Sequence, residues 1–230
     1  SYGLDFDGIT NIASGENFPY ERLLHLIRRI HEVEGIERIR LGSLEPRIVT
    51  EEFARELAKL PGFCPHFHLS LQSGCNSVLK RMNRKYTAEE YYDKVCILRR
   101  FFDHPAITTD VIVGFPGETE EEFEETISLI QQVHYDSLFT FIFSPRPGTP
   151  AASMDDPTPK EEKNRRFDRL CAVQNAISEE IHNNYIGKTM RCLVDGRDKD
   201  MLTARTEGGR LVRFAGRDDL IGTYRYLTIT

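Results

Sequence analysis

No stretch of the sequence approaches the ~20 consecutive apolar residues that a membrane-spanning helix needs, and no charged-then-apolar opening reads as a signal peptide. No C-x-x-C or C-x-x-x-C spacing occurs either. The five cysteines, Cys64, Cys75, Cys96, Cys171 and Cys192, stand 11, 21, 75 and 21 positions apart. An odd, scattered set argues against a disulfide framework and for reduced thiols in a cytoplasmic protein. An initiating methionine is also missing: the chain opens at Ser1-Tyr2-Gly3-Leu4, as a piece cut from something longer would. What is present is ordinary for a globular chain. Its 230 residues are 40% hydrophobic and 29% charged, enough for one large domain or a medium one with a small appendage.

The net charge of −6 is unevenly spread. From Lys188 to Thr230 there are 9 basic and 6 acidic residues, a net of +3, so the preceding 187 residues carry 21 and 30, a net of −9. A basic tail on an acidic body is a weak pointer to nucleic acid, and on charge alone a solvated surface is the commoner cause.

The body alternates two periods. Tyr20, Leu23, Leu24, Ile27, Ile30 and Val33 recur at helical spacing after Pro19. A strand is predicted over Glu37 to Leu44, then a helix capped by Thr50 and stopped by Pro61-Gly62. Strands follow over His66 to Gln72, Ile107 to Gly114 and Ser137 to Ser144. Thr87-Ala-Glu-Glu90 and Thr119-Glu-Glu-Glu122 are capping boxes for the intervening helices. Four strands separated by helices make parallel βαβ crossovers. Ser144 to Pro159 reads as a linker. Thr158-Pro159-Lys-Glu161 should then open a long charged helix running to about Tyr185. After Gly187 short strands and glycine turns predict a small all-β domain.

In a parallel α/β array, ligands meet the C-terminal strand ends. Here those ends carry Ser43 and Glu45; Gln72, Ser73 and Gly74; Gly114, Gly117 and Glu118; and Arg146. Each combines a glycine with a hydrogen-bonding or charged side chain. The polar inward faces, Ser70/Gln72 and Thr108/Asp110, imply an occupied lumen. A metal at Cys64, His66 and His68 is disfavoured, because alternate residues of a strand stand ~7 Å apart.

Leu41-Gly-Ser-Leu-Glu-Pro46, His68-Leu-Ser-Leu-Gln-Ser-Gly74, Arg81-Met-Asn-Arg84, Thr109-Asp-Val-Ile-Val-Gly-Phe-Pro-Gly-Glu-Thr119 and Phe143-Ser-Pro-Arg-Pro-Gly-Thr-Pro-Ala151 resemble the radical S-adenosylmethionine (SAM) tRNA methylthiotransferases, in order and spacing, through essentially the whole chain. The Leu-Gly-Ser-Leu-Glu-Pro stretch is most similar to the branch that converts N6-threonylcarbamoyladenosine, beside the anticodon, to its 2-methylthio derivative. The resemblance implies an α/β fold: a partial (βα)6 barrel over residues 1–186, then a small all-β TRAM-like barrel over 187–230 that ends early. It implies SAM and two [4Fe–4S] clusters in the full-length protein, tRNA as partner, and an electron donor such as a flavodoxin or ferredoxin.

By the same resemblance, Ser43, Glu45, Gln72, Ser73, Gly74, Asp110, Gly114, Gly117 and Arg146 belong to the SAM rim. Arg84 is a candidate for the SAM carboxylate, and Arg191, Arg205, Arg213 and Arg217 for RNA. The family's cluster-binding cysteines, including a C-x-x-x-C-x-x-C loop after the first barrel strand, have no counterpart here, since iron–sulfur clusters need thiolates at set spacing. That makes this chain inactive by itself. A non-catalytic RNA-binding remnant, or a methylthiotransferase with another substrate, stays open as an alternative.

Overall fold

The computed structural model describes residues 20–230. Pro19 lies outside them. The first helix, α1 (Tyr20–His31), buries Leu23, Leu24 and Ile27, whereas Ile30 and Val33 stay exposed. The strand expected over Glu37 to Leu44 shrinks to β1 (Ser43–Leu44), with a single bridge between Ile39 and Phe63. The Arg38 guanidinium donates to the carbonyls of Arg205 and Thr206, at 3.1 and 2.5 Å.

Helix α2 (Glu51–Ala58) starts where expected, with Thr50 accepting the Phe53 amide. β2 (His66–Leu69) is buried along its whole length and stops short of Gln72, which takes a left-handed conformation at φ 76°. A short helix that the sequence pattern misses, α3 (Asn76–Arg81), follows. It has Cys75 at its N-cap and no side-chain cap bond, so no capping signal marks it. Then come α4 (Ala88–Phe101), β3 (Ala106–Val113), α5 (Glu120–Val133) and β4 (Ser137–Ile142); both predicted capping boxes are fully formed.

The strands make one parallel sheet in the order β1-β2-β3-β4. Its outer face packs Phe67, Leu69, Ile107 and Val111 against the helices in the main core, with Phe53, Tyr91, Phe123 and Tyr135 fully buried there. Burying such side chains contributes roughly 1.5–3 kcal/mol each.

After the linker, α6 (Lys160–Asn183) begins one residue later than the capping motif implied. Pro159 occupies the N-cap, and its carbonyl takes the amides of Glu162 and Lys163, leaving Thr158 and Glu161 without the reciprocal bonds. Beyond 184–188, β5 (Thr189–Asp198), β6 (Met201–Thr206), β7 (Leu211–Phe214) and β8 (Tyr224–Thr228) form an antiparallel sheet in the order β7-β6-β5-β8. Among the described residues this sheet is open, with β7 and β8 at its edges. Cys192, Val194, Leu202 and Ala204 make its own small core.

The small domain is docked on the start of the parallel strands, not on their ends. Arg38 grips the end of β6, Arg210 pairs with Asp136 just before β4 and stacks on Tyr185, and Gly208 lies against Ala106 at the start of β3.

Candidate functional site

The inner face of the parallel sheet is polar because of register. Ser43 stands opposite His68, His68 opposite Thr108, and Thr108 opposite Ser137, while Asp110 faces Phe139. Side chains alternate across a strand, so these residues share one face. Together with the small domain and α6 they line a cleft of about 1260 Å³.

His68 organises its middle. Its Nδ1 lies 3.0 Å from the Thr108 hydroxyl, its Nε2 lies 3.2 Å from Asp110 Oδ2, and its ring packs on Phe139 with centroids 5.6 Å apart. Phe139 and Phe141 are half exposed there, 53% and 52%. Aromatic faces beside a carboxylate and an imidazole make a surface for a flat, hydrogen-bonding ligand.

Of the ten residues expected at the cofactor rim, the cleft contains Ser43 and Asp110. Gln72 is buried and holds strand β3 through both backbone groups, its amide on Asp110 and its carbonyl on Ile112. Ser73 and Gly74 face α5. Thr126 Oγ1 is 3.3 Å from Ser73 Oγ and accepts the Gly74 amide at 3.0 Å. Glu45 pairs with Arg47 at 2.6 Å, and Arg84 and Arg146 are exposed. Gly114 and Gly117 both have positive φ, 67° and 72°. The stem of Lys163 lies where a side chain at Gly114 would be, and Arg81 donates to the Gly117 carbonyl at 3.4 Å.

Glu118, expected at the same strand end, is buried. It accepts the Gly114 amide at 2.7 Å and pairs with Arg166 at 3.2 Å. Desolvation raises its carboxyl pKa against the pull of those partners. Thr119 and Glu122 complete the cap of the following helix without it.

The four arginines expected to meet RNA all have carboxylate partners. Arg191 reaches Glu37 at 2.7 Å and lies over the Tyr224 ring at 3.7 Å. Arg205 has Asp195 at 3.1 Å, Arg213 has Asp198 at 3.1 Å, and Arg217 has Asp219 at 3.4 Å. Arg205 and Arg213 line the cleft. Exposed pairs of this kind are weak, so phosphates can compete for these arginines.

A parallel α/β array with a polar inner face, glycine-bearing rim loops and an open lumen defines part of an α/β barrel. Comparison with known proteins gives it a family. Residues 5–130, more than half of the chain, match the model of the Radical SAM superfamily. The chain belongs to the radical SAM superfamily.

Its relatives include two proteins named tRNA-2-methylthio-N(6)-dimethylallyladenosine synthase. The one from Clostridium botulinum is 41% identical over 227 residues, covering 97% of this chain and 48% of its own length. The one from Geobacter sulfurreducens is 44% identical over 232 residues, covering 100% and 50%. The chain thus spans about half the length of the curated relatives it matches. Coproporphyrinogen III oxidase from Escherichia coli, described as a radical SAM enzyme, superposes with a TM-score of 0.55 at 17% identity, over 88% of this chain and 57% of that one. At that identity the likeness speaks for the fold alone.

Superfamily membership brings SAM and a [4Fe–4S] cluster as cofactors, yet the cysteines here do not fit a cluster. Cys64 is buried with Arg38 Nε 3.2 Å from its sulfur, Cys75 sits at the N-cap of α3, Cys96 and Cys171 lie on separate helices, and Cys192 is in the small domain's core. Among the described residues no group of three or more His, Cys, Asp or Glu could hold a metal ion. Residues 1–19 contain no cysteine. No described helix is long and apolar enough to cross a membrane.

Proposed function

We propose that this chain is part of a radical SAM tRNA methylthiotransferase, carrying the later barrel strands and the RNA-facing β domain, with the cluster ligands supplied from outside the chain. What carries the reading is 41–44% identity to the two synthases along nearly all of the chain. Both are named for dimethylallyladenosine. We therefore read the substrate base as N6-dimethylallyladenosine in tRNA, in place of the threonylcarbamoyl form that Leu41–Pro46 suggested.

In this reading SAM and two [4Fe–4S] clusters, fed by a flavodoxin or ferredoxin, supply the radical and sulfur chemistry. The chain's own residues bind and orient. Asp110, with one carboxylate oxygen on His68, offers the other to hydroxyl or amine donors of a nucleoside. Ser43 adds a hydroxyl on the same face. Gln72, Gly114 and Gly117 shape the rim, with Glu118 and Arg166 fixing the Gly114 turn from behind, and Arg84 and Arg146 stay available to a carboxylate or phosphate. Phe139 and Phe141 exclude water from the lumen.

The test is nucleoside analysis of tRNA after reaction. Chain 1–230 alone, reconstituted with iron, sulfide and SAM, should form no methylthio product. The same chain joined to the coding sequence upstream of Ser1 should modify tRNA bearing dimethylallyladenosine at least tenfold faster than tRNA bearing the threonylcarbamoyl form. The reverse preference would restore the other branch. Methylthiolation of neither substrate, with RNA still bound, would favour the non-catalytic RNA-binding remnant.

A further inference from the structure

The two faces of β4 are used differently. Leu138 and Ile142 pack against the main core on the outer face. Phe139 and Phe141 turn to the inner face and line the cleft. Among the described residues of the parallel sheet, these two are the large apolar side chains left exposed. Apolar surface kept open inside a cleft marks a seat for an apolar group.

Strand register sorts the inner face into two halves. Ser43, His68, Thr108 and Asp110 make a polar half across β1, β2 and β3. Phe139 stands opposite Asp110, and Phe141 opposite Ile112, so an apolar half begins where the polar one ends. The His68 ring, 5.6 Å from that of Phe139, lies at the seam. The cations of the cleft stand elsewhere. Arg40 comes from the segment before β1, and Arg205, Arg210 and Arg213 from the small domain docked at the strand starts. The charged group in register with Phe139 is the Asp110 carboxylate.

We propose that Phe139 and Phe141 seat the N6 substituent of the target adenine and set the preference for an apolar one. This specificity role rests on the methylthiotransferase reading above. A dimethylallyl group is a branched hydrocarbon with no polar atom, so it leaves water for the two ring faces without losing a hydrogen bond. The flat base to which it is joined then meets the polar half, where Ser43 and Asp110 offer hydrogen-bonding groups. A threonylcarbamoyl group has the wrong chemistry for the same seat. Its urea and hydroxyl would give up water against the rings, and its carboxylate would stand beside Asp110, where like charges repel.

The experiment uses the chain joined to its upstream coding sequence, as wild type, Phe139→Asn, Phe141→Asn and Phe139→Leu. Calorimetry before cluster reconstitution compares the free nucleosides N6-dimethylallyladenosine and adenosine. After reconstitution, kcat and KM are measured on tRNA bearing dimethylallyladenosine, threonylcarbamoyladenosine or unmodified adenosine. The wild type should favour the dimethylallyl form over adenosine by about tenfold or more in both measurements. Each Asn variant should lose most of that preference through KM, with adenosine affinity unchanged, and Phe139→Leu should keep it. Asn variants that retain the preference, or that weaken both nucleosides equally, would overturn the seat and leave the methylthiotransferase reading standing. So would a lowered melting temperature with the preference intact, since the rings would then be covered by protein. A wild type that favours the threonylcarbamoyl form overturns seat and reading together. If neither modified tRNA is methylthiolated, the reading fails, and the nucleoside titration decides the seat by the same comparison.

Discussion

His66 enters the fold as a neutral ring. Its folded pKa of about 4 lies below the ordinary 6.5, so the unfolded chain binds this proton more readily and acid favours unfolding. Its contribution is complete above pH 6.5 and declines as pH falls toward 4, by on the order of 3 kcal/mol. Denaturant unfolding at pH 7 and pH 4 should show that loss in the wild type and much less of it in His66→Asn. Glycines test a different contact. A methyl at Gly74 would stand 2.6 Å from Thr126 Cα, which is helix backbone and cannot step aside. Gly74→Ala should therefore cost 1–3 kcal/mol, about what overpacking a filled site costs. At Gly117 nothing lies within 4 Å, and only the positive φ opposes a side chain, so Gly117→Ala should cost about 1–2 kcal/mol. Thermal unfolding of the pair checks the order.

Helix starts are where local sequence and structure agree best. Thr87 and Thr119 each accept the amide three residues on, and Glu90 and Glu122 return the bond, so Thr→Ala at either should cost ~1 kcal/mol. Glu122 does more than cap. Arg81 and Ser77 of α3 bind it too, and those bonds, Arg81 first, hold its carboxyl down at about 2. That stabilisation is present above pH 4.5 and lost as pH falls toward 2. Glu118, raised by burial, works in the opposite sense. Glu122→Gln should therefore flatten the acid limb of the stability profile, as measured by circular dichroism against pH.

The same elements show what was readable in advance. The capping boxes at Thr87 and Thr119, the βαβ spacing and the all-β character of the small domain follow from short-range chemistry and came through, whereas the motif at Thr158 did not form its bonds. Helix α3 carries no cap signal, and Arg38, in the segment before β1, bonds to carbonyls 167 and 168 residues away. No local pattern encodes such a contact. The inner face of the sheet was legible as polar through Thr108 and Asp110. That His68 bridges them depends on the register of β2 with β3, which only pairing fixes.

At the scale of the whole molecule, polar contacts fasten the two units, and the most enclosed of those described is an ion pair. Arg210 and Asp136 are each 14% exposed, and removing one member of a buried pair strands the other at a cost of about 3–5 kcal/mol. Calorimetry of Arg210→Ala should show either a lower single transition or a separate early one for the β domain. Arg38→Ala, which releases two carbonyls of the same strand end, should move it the same way. A variant that melts like the wild type would mean that the domain is held elsewhere.

Docking at the start of the strands also sets a length. The β domain grips one end of the sheet, and the glycine loops ring the other. Between them β3 runs eight residues, which at about 3.3 Å per residue is about 26 Å. The length of one strand thus fixes how far a group seated at the domain's end stands from one seated at the glycine loops.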